Sequence, residues 1–594
     1  MRRSILFIAV AGALVTATAA KTPTPVETAE YRATPSYDET LAFLRQLCAK
    51  QPALKLDSFG KSAMGRALPL VIVSGDRLFT PAAAARSGKP IVMIQSGIHA
   101  GEIDGKDASL MLLRDLADGR HHGWLDRLVL LVVPIYNVDG HERVSPYNRP
   151  NQNGPEAGMG FRTTADGHDL NRDHLKLCTP EARALIGLVN AWRPHLHVDD
   201  HVTDGSDHDW VLTYAWVEGP QVAPSIDAWL SQTMPRVIAA TEASGHRLGP
   251  YVDLLDPQDP AKGFTSYVGT PRYATGYFPL RNRPSILVET HSYKPYRARV
   301  LANRAFLEAL LDAVTNTGRA LLDAVRQAEE ATVALGRADA PASDVVVRYK
   351  AAAPTDTIRF PIYDWTVEPS IALGTPLLRY RPGQVHEIDA PWQHRPEIEL
   401  AVRRPRGYLV LPGWPEIERR LADHGLRVER LDAPAEVDVE TLRLSNPREA
   451  GTPRRSYQGL TQLAADVERR RERRAFPAGS LWIPADQADF AVAVQLLEPE
   501  APDSLVSWGL LSIVFERKEW MDSRGLEARA RTLLEDPAIA EAWRQALADP
   551  AFAADEQARY AWWYRRTPYW DESIGLLPVM RVMAPVQLAT SPWN

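Results

Sequence analysis

Cysteine is almost missing from this chain: 594 residues hold only Cys48 and Cys178. A disulfide scaffold is therefore excluded, and the two are spaced as neither a zinc knuckle nor a CxxC redox pair. One bridge between them stays open; otherwise both read as small buried hydrophobes. A dominant charge of one sign is missing too. Lys and Arg number 68 against 74 Asp and Glu, a formal charge of −6, and no run of five or more Lys/Arg occurs. Without a basic footprint, nucleic acid is not an expected partner. No segment reaches 18 consecutive apolar residues, so the mature chain is not expected to insert into a membrane. No fixed-period repeat is present, which sets aside solenoids and propellers. What remains, 45% hydrophobic and 24% charged residues, is the composition of a globular chain with two or three folded units.

At the amino end, Arg2 and Arg3 precede an apolar run from Ile5 to Val15, which ends in Ala17-Thr18-Ala19-Ala20 before Lys21. This is the pattern of a secretory signal peptide over residues 1–20, too short to span a bilayer as a stable helix. The mature protein is expected to be secreted, or periplasmic in a Gram-negative source.

The first half alternates short apolar runs with amphipathic stretches. Strands are predicted at residues 68–73, 90–95, 128–133, 195–199, 210–214 and 285–289, and helices at 38–50, 104–116, 180–191, 225–244 and 299–327. Such alternation implies an α/β fold, a mixed, mostly parallel sheet sandwiched by helices. Residues 336–344 are polar, small and proline-bearing, as a linker is. They separate a first unit at 21–335 from an α+β accessory region at 345–594, of one or two subdomains. In that region short strands are expected at 344–349, 358–361, 398–402, 407–411 and 426–431, with a helix at 415–424 and a helical, aromatic tail beyond Asp486. The cluster Tyr560-Ala-Trp-Trp-Tyr564 reads as a stripe buried at an interdomain seam.

The chemistry concentrates in the first half. The strand ending at Gln95 runs into Ser96-Gly97-Ile98-His99-Ala100-Gly101-Glu102. A histidine and a carboxylate three apart can share one metal, but the spacing alone is weak. His394-Arg-Pro-Glu397 repeats it with no preceding strand, an internal proline and no partner histidine, and is set aside. The first match has company: His201 follows the strand ending at Asp199, and Glu289 caps the strand from Ser285. All these groups then lie at carboxyl ends of strands, where open α/β sheets gather their ligands. Two histidines, a carboxylate and one open position are the inventory of a catalytic zinc site, and Glu289 is placed to accept a proton from water. His195, His197 and His208 crowd the third ligand, and spacing alone leaves His197 open in place of His201.

Taken in order, these motifs resemble the zinc carboxypeptidases of the M14 type, from about Tyr31 to about Ala324. The resemblance rests on Gly60-Lys-Ser-Ala-Met-Gly65-Arg66, His99-Ala-Gly-Glu102, Asn137-Val-Asp-Gly140 with Val where the family carries Pro, Phe161-Arg-Thr163, Asp169-Leu-Asn-Arg172, Asp199-Asp-His201 and Glu289. It implies one zinc ion held by His99, Glu102 and His201, with Glu289 as general base and then proton donor. Arg162 would polarise the scissile carbonyl, Asn171 and Arg172 would grip the substrate's terminal carboxylate, and Asp169 would orient His99. Tyr273 is the first choice for the tyrosine that closes over the substrate, with Tyr267 and Tyr277 as rivals. The implied activity is a secreted metallocarboxypeptidase, cleaving C-terminal peptide bonds by metal-activated water and acting on peptides with a free C-terminal carboxylate. The alternatives are a related metal-dependent amidohydrolase of N-acyl amino acids or cell-wall peptides and, in another class, a non-catalytic peptide-binding protein.

Two departures matter. Gly101 stands where digestive members carry Arg, which predicts loss of a positive group from the cleft. Only about a dozen residues separate the signal end from the Tyr31 region, which predicts activity without removal of a folded pro-segment. Arg281 and Arg283, just upstream of Glu289, hint at an acidic terminal residue but read more readily as structural ion pairs. Residues 345–594 lie outside the motifs and are expected to pack on the first unit; nothing in the sequence fixes the oligomeric state.

Overall fold

The computed structural model describes residues 21–203, 206–266, 268–451 and 456–593. The predicted signal segment, 1–20, lies outside them. In chain order the first half supplies strands β1 (Leu54–Lys61), β2 (Ala67–Val73), β3 (Ile91–Ser96), β4 (Val129–Val133), β5 (Leu196–Thr203), β6 (Leu212–Ala215), β7 (Leu248–Pro250), β8 (Asp253–Leu254), β9 (Phe264–Thr265) and β10 (Ser285–His291). Eight of them form one sheet in the order β1-β2-β4-β3-β5-β10-β6-β7. Its centre, β4-β3-β5-β10, is parallel, and antiparallel strands flank it. This is the mixed α/β sheet expected from the alternation. Of its strands, β1 and β7 were not predicted: β1 is a partly exposed edge and β7 has three residues.

Strand periodicity explains which groups share a face. In β5 the even residues Leu196 and Val198 enter one hydrophobic core together with Phe306, Leu310 and Leu311 of the 41-residue helix Tyr296–Gly336. The odd residues His197, Asp199 and His201 therefore point to the opposite face. The parallel register sets His201 beside Glu289 and His197 beside Ser285 on β10, and Asp199 beside Gln95 on β3. A polar column thus crosses the middle of an otherwise apolar sheet. Both β5 and β10 run further than their apolar residues suggest, so His201 and Glu289 sit inside strands instead of beyond them. Burial and hydrogen bonding keep these polar ends in the ladder.

The second hydrophobic layer does not stop at the linker. Met93, Leu131, Leu185 and Phe278 of the first half share one buried cluster with Tyr408, Ile417, Phe490 and Leu496. After the helix ending at Gly336, the chain resumes as a strand at Asp344. Two long hairpins follow, Asp356–Pro369 with Pro376–Gln393 and Ala435–Glu449 with Leu463–Phe476, and the second belongs to a seven-stranded sheet. The first hairpin adds to β8 and β9, pairing Trp392 with Phe264. The aromatic cluster of residues 560–564 departs from expectation: it packs with Leu526, Ala530 and Trp543 inside its own helical bundle, not at the seam between the halves. Cys48 and Cys178 are both free and half-buried. Among the described residues no helix is long and apolar enough to cross a membrane.

Two buried histidines tie pH to stability. His197 stacks on Phe278 at 3.8 Å, and His424 bridges the halves by bonding Tyr277 Oη at 2.8 Å and the Leu175 carbonyl at 2.9 Å. Burial pushes each down to about 3. Below the usual histidine value of about 6.5 the unfolded chain takes up these protons while the native chain does not, so stability present at neutral pH is lost as pH falls toward 3. Each contributes about 1.4 kcal/mol per pH unit in that window. His424→Gln, which cannot take the proton, should be less stable at pH 7 but should flatten the pH dependence of urea unfolding between pH 6.5 and 5 by about that amount.

Candidate active site

His99 and Glu102 lie on the turn after β3, just before the helix Asp104–Ala117. Gly101 is glycine for a steric reason: a Cβ there would come 2.5 Å from the Gly160 carbonyl oxygen and 2.7 Å from Arg149 Cδ. Asn137 organises the neighbouring turn, accepting the Gly140 N–H at 2.9 Å and donating to the Arg162 carbonyl at 3.1 Å. Gly140 lets the Arg162 segment pass closely, since a Cβ at 140 would meet the Phe161 and Thr163 carbonyls at 2.6 and 2.5 Å. Arg66 and the Met64 N–H both bind Asp139 in the same turn, at 2.6 and 3.0 Å. The motifs named in the sequence are therefore packed on one another.

At the centre, His99, Glu102 and His201 each offer a ligand atom, and these atoms lie within 4.8 Å of one another, all buried. The Nδ1 atoms of His99 and His201 stand 2.9 Å from Glu102 Oε1 and Oε2 respectively. The outer nitrogens face carboxylates: His99 Nε2 lies 3.1 Å from Asp169, and His201 Nε2 lies 2.9 Å from Asp199. In its neutral form an imidazole held this way would donate from Nε2 and present the Nδ1 lone pair inward, so the donor set suits a divalent metal. Burial by itself raises the Glu102 carboxyl, but the charges of His99 and Arg149 hold it well below its ordinary value. Asp169 is likewise raised by burial but driven far down by His99, Arg162 and Arg172. Glu289, one strand from His201, has a buried Oε2 with no hydrogen-bond partner among the described residues. Burial pushes it up to about 8, with the His201 charge pulling the other way and Glu102 adding to the rise.

A cleft of about 360 Å³ opens over this group, lined also by Arg149, Arg162, Asn171, Arg172 and Tyr273. Arg162 reaches Asp169 Oδ2 through Nη2 at 2.9 Å and through Nε at 3.1 Å. Asn171 Oδ1 accepts the Ala274 N–H at 3.2 Å, and the Arg172 guanidinium lies 4.4 Å from the Tyr273 ring centre. The structure thus brings His99, Glu102, Arg162, Asp169, Asn171, Arg172, His201, Tyr273 and Glu289 together around one cleft. The alternatives lie elsewhere: His197 bonds Ser285, Tyr277 is buried against His424, and Tyr267 is outside the described residues. Arg281 and Arg283 are buried in ion pairs with Asp489 and Glu329 and do not line the cleft.

Three contributions were missed. Arg149 occupies the room over Gly101, 2.7 Å from Glu102 Oε1 and 2.9 Å from the Val202 carbonyl, so the expected loss of a positive group is corrected: the cation comes from another loop. Nothing in the local sequence marks it. Asp199 was detectable, because it stands two residues before His201 and so shares its strand face. Tyr457 and Gln458 reach the site from the second half, across 285 and 289 positions of sequence, a distance no local pattern spans.

A family model described as zinc carboxypeptidase matches residues 40–189. Over those residues the chain resembles the zinc carboxypeptidases of the M14 type. The enzyme is thus a zinc metallopeptidase of the carboxypeptidase type. It is 26% identical to Carboxypeptidase 2 of Trichophyton rubrum over 503 residues, 81% of this chain and 85% of that one. It is 25% identical to Carboxypeptidase 2 of Trichophyton tonsurans over the same shares. That span carries the similarity well past the linker. Among solved structures, a metallo-carboxypeptidase from Burkholderia cenocepacia aligns at 18% identity and TM-score 0.36, covering 48% of this chain and 71% of that one. The carboxypeptidase A of Helicoverpa armigera aligns at 18% and 0.36, covering 50% and 75%.

Proposed function

We propose that the protein removes C-terminal residues from peptides, using one zinc ion held by His99, Glu102 and His201. The observation that carries this reading is the convergence of those three donors within 4.8 Å, beside a Glu289 oxygen with no hydrogen-bond partner among the described residues. When bound, zinc supplies Lewis acidity, letting water ionise near neutral pH and polarising a carbonyl. Asp169 and Asp199 fix the tautomer of the two imidazoles. Glu289 takes a proton from the attacking water and passes it to the leaving amine as the C–N bond breaks. Arg162 donates N–H groups to the oxyanion that develops. Asn171 and the planar fork of Arg172 hold the terminal carboxylate, and Tyr273, stacked near that guanidinium, closes over the bound residue. The products are a free amino acid and a peptide one residue shorter.

The apolar run of residues 5–15 behind two arginines supports export of the enzyme by a cleaved signal. The end of the long helix at Gly336 and the strand beginning at Asp344 support a catalytic unit at 21–335 followed by an accessory region at 345–594.

N-blocked dipeptides with free or amidated ends test the reading directly. Only the free acids should be cleaved, and Arg172→Ala should raise KM for them on the order of 10–100-fold with a smaller change in kcat. Equal turnover of amidated substrates would sink the carboxypeptidase reading and favour the amidohydrolase. Glu289→Gln keeps the shape of the side chain but not its basicity, and kcat should fall roughly 10²–10⁴-fold with zinc content unchanged; full activity would remove Glu289 from the mechanism.

A further inference from the structure

The second half of the chain touches the substrate end of the cleft through one tight turn. Tyr457 and Leu460 exchange backbone hydrogen bonds of 2.8 and 3.1 Å, with Gln458 and Gly459 between them at φ of +55° and +74°. Two successive left-handed residues are what a two-residue hairpin of this hand requires. The turn delivers two contacts. Tyr457 Oη accepts from Arg172 Nε at 2.8 Å, and Gln458 Oε1 accepts the Asp169 N–H at 2.8 Å.

The turn is itself anchored. The Tyr457 ring stacks parallel to the buried Trp508, with centroids 5.8 Å apart and planes 7° from parallel. The Arg272 guanidinium lies 4.9 Å from the Trp508 ring, and Asp503 binds Arg272 twice, at Nε (2.7 Å) and at the backbone N–H (2.9 Å). Arg272 is the residue before Tyr273. Both groups assigned to the bound terminus, Arg172 and Tyr273, are thus backed by residues beyond the linker. An arginine side chain has four rotatable bonds and grips a carboxylate well only when its fork is held in place. With Nε tied to Tyr457 and Nη1 to the Asn171 carbonyl at 2.8 Å, the guanidinium plane is fixed, and among the described residues Nη2 has no hydrogen-bond partner.

We infer that Tyr457 is a positioning residue of the terminal-carboxylate subsite, so that the region after the linker is part of the substrate-binding site and not a detachable module. The inference rests on the assignment of Arg172 made above. Tyr457→Phe removes one hydroxyl while keeping the stack on Trp508. It should raise KM for free-acid dipeptides about 5–10-fold, the loss of one charge-assisted hydrogen bond, with kcat within about twofold and zinc content unchanged. In an Arg172→Ala background the same change should have no further effect, because its influence passes through the guanidinium. If Arg172→Ala raises KM but Tyr457→Phe does not, or if Tyr457→Phe acts equally with and without Arg172, the positioning role is wrong while the carboxypeptidase reading stands. If Arg172→Ala itself leaves KM unchanged, the assignment of Arg172 fails and this inference falls with it.

Discussion

Four carboxylates, Glu102, Asp169, Asp199 and Glu289, are buried around two imidazoles at the ends of parallel strands, and this concentration of charge governs what surrounds it. Burying an unpaired carboxylate costs several kcal/mol, so each needs a partner. Asp169 and Asp199 have the outer nitrogens of His99 and His201, and Arg149 and Arg162 add positive charge beside Glu102 and Asp169. Glu102 lies between the two Nδ1 atoms, and Glu289 keeps an oxygen with no partner among the described residues. A divalent cation among these donors would complete the balance.

The frame behind the centre serves the same end. Asp104, two residues after Glu102, is held by Arg299 at 2.7 Å and by Thr290 at 2.5 Å. That fixes the start of its helix to the strand residue following Glu289. Gly105 permits this approach, because a Cβ there would stand 2.3 Å from Asp200 Cβ. On the other face the shared hydrophobic layer joins the two halves, so the cleft cannot be separated from the second half without exposing a core. Tyr251 and Asp253 line the cleft close to the strands onto which the hairpin of residues 356–393 adds, while the turn at 457–460 backs Arg172 from the other half of the chain.

Much of the centre could be read from the sequence because strand ends announce themselves: apolar runs stopping at Gln95, Asp199 and Glu289 put His99, His201 and Glu289 at one edge. The side chains that orient them were harder. Asp199 needed only the two-residue period, but Arg149 emerges from a loop with no period, and Tyr457 and Gln458 depend on packing between distant segments. The second half was legible where hydrophobic alternation marks strands, as at residues 407–411. The ribbon of Ala435–Glu449 with Leu463–Phe476 was not, since much of it faces solvent and is held by cross-strand pairs such as Arg473 with Glu436 and Arg448 with Asp466, which leave no apolar signature.

Zinc stoichiometry in the purified protein, compared with His201→Ala and His197→Ala, tests the central claim most directly. The geometry predicts about one ion per chain in the native protein, loss of that ion on removing the His201 imidazole, and its retention when His197, which packs on Phe278, is replaced. A native protein that takes up no zinc even when it is supplied, or one that loses it with His197 and keeps it without His201, would contradict the account.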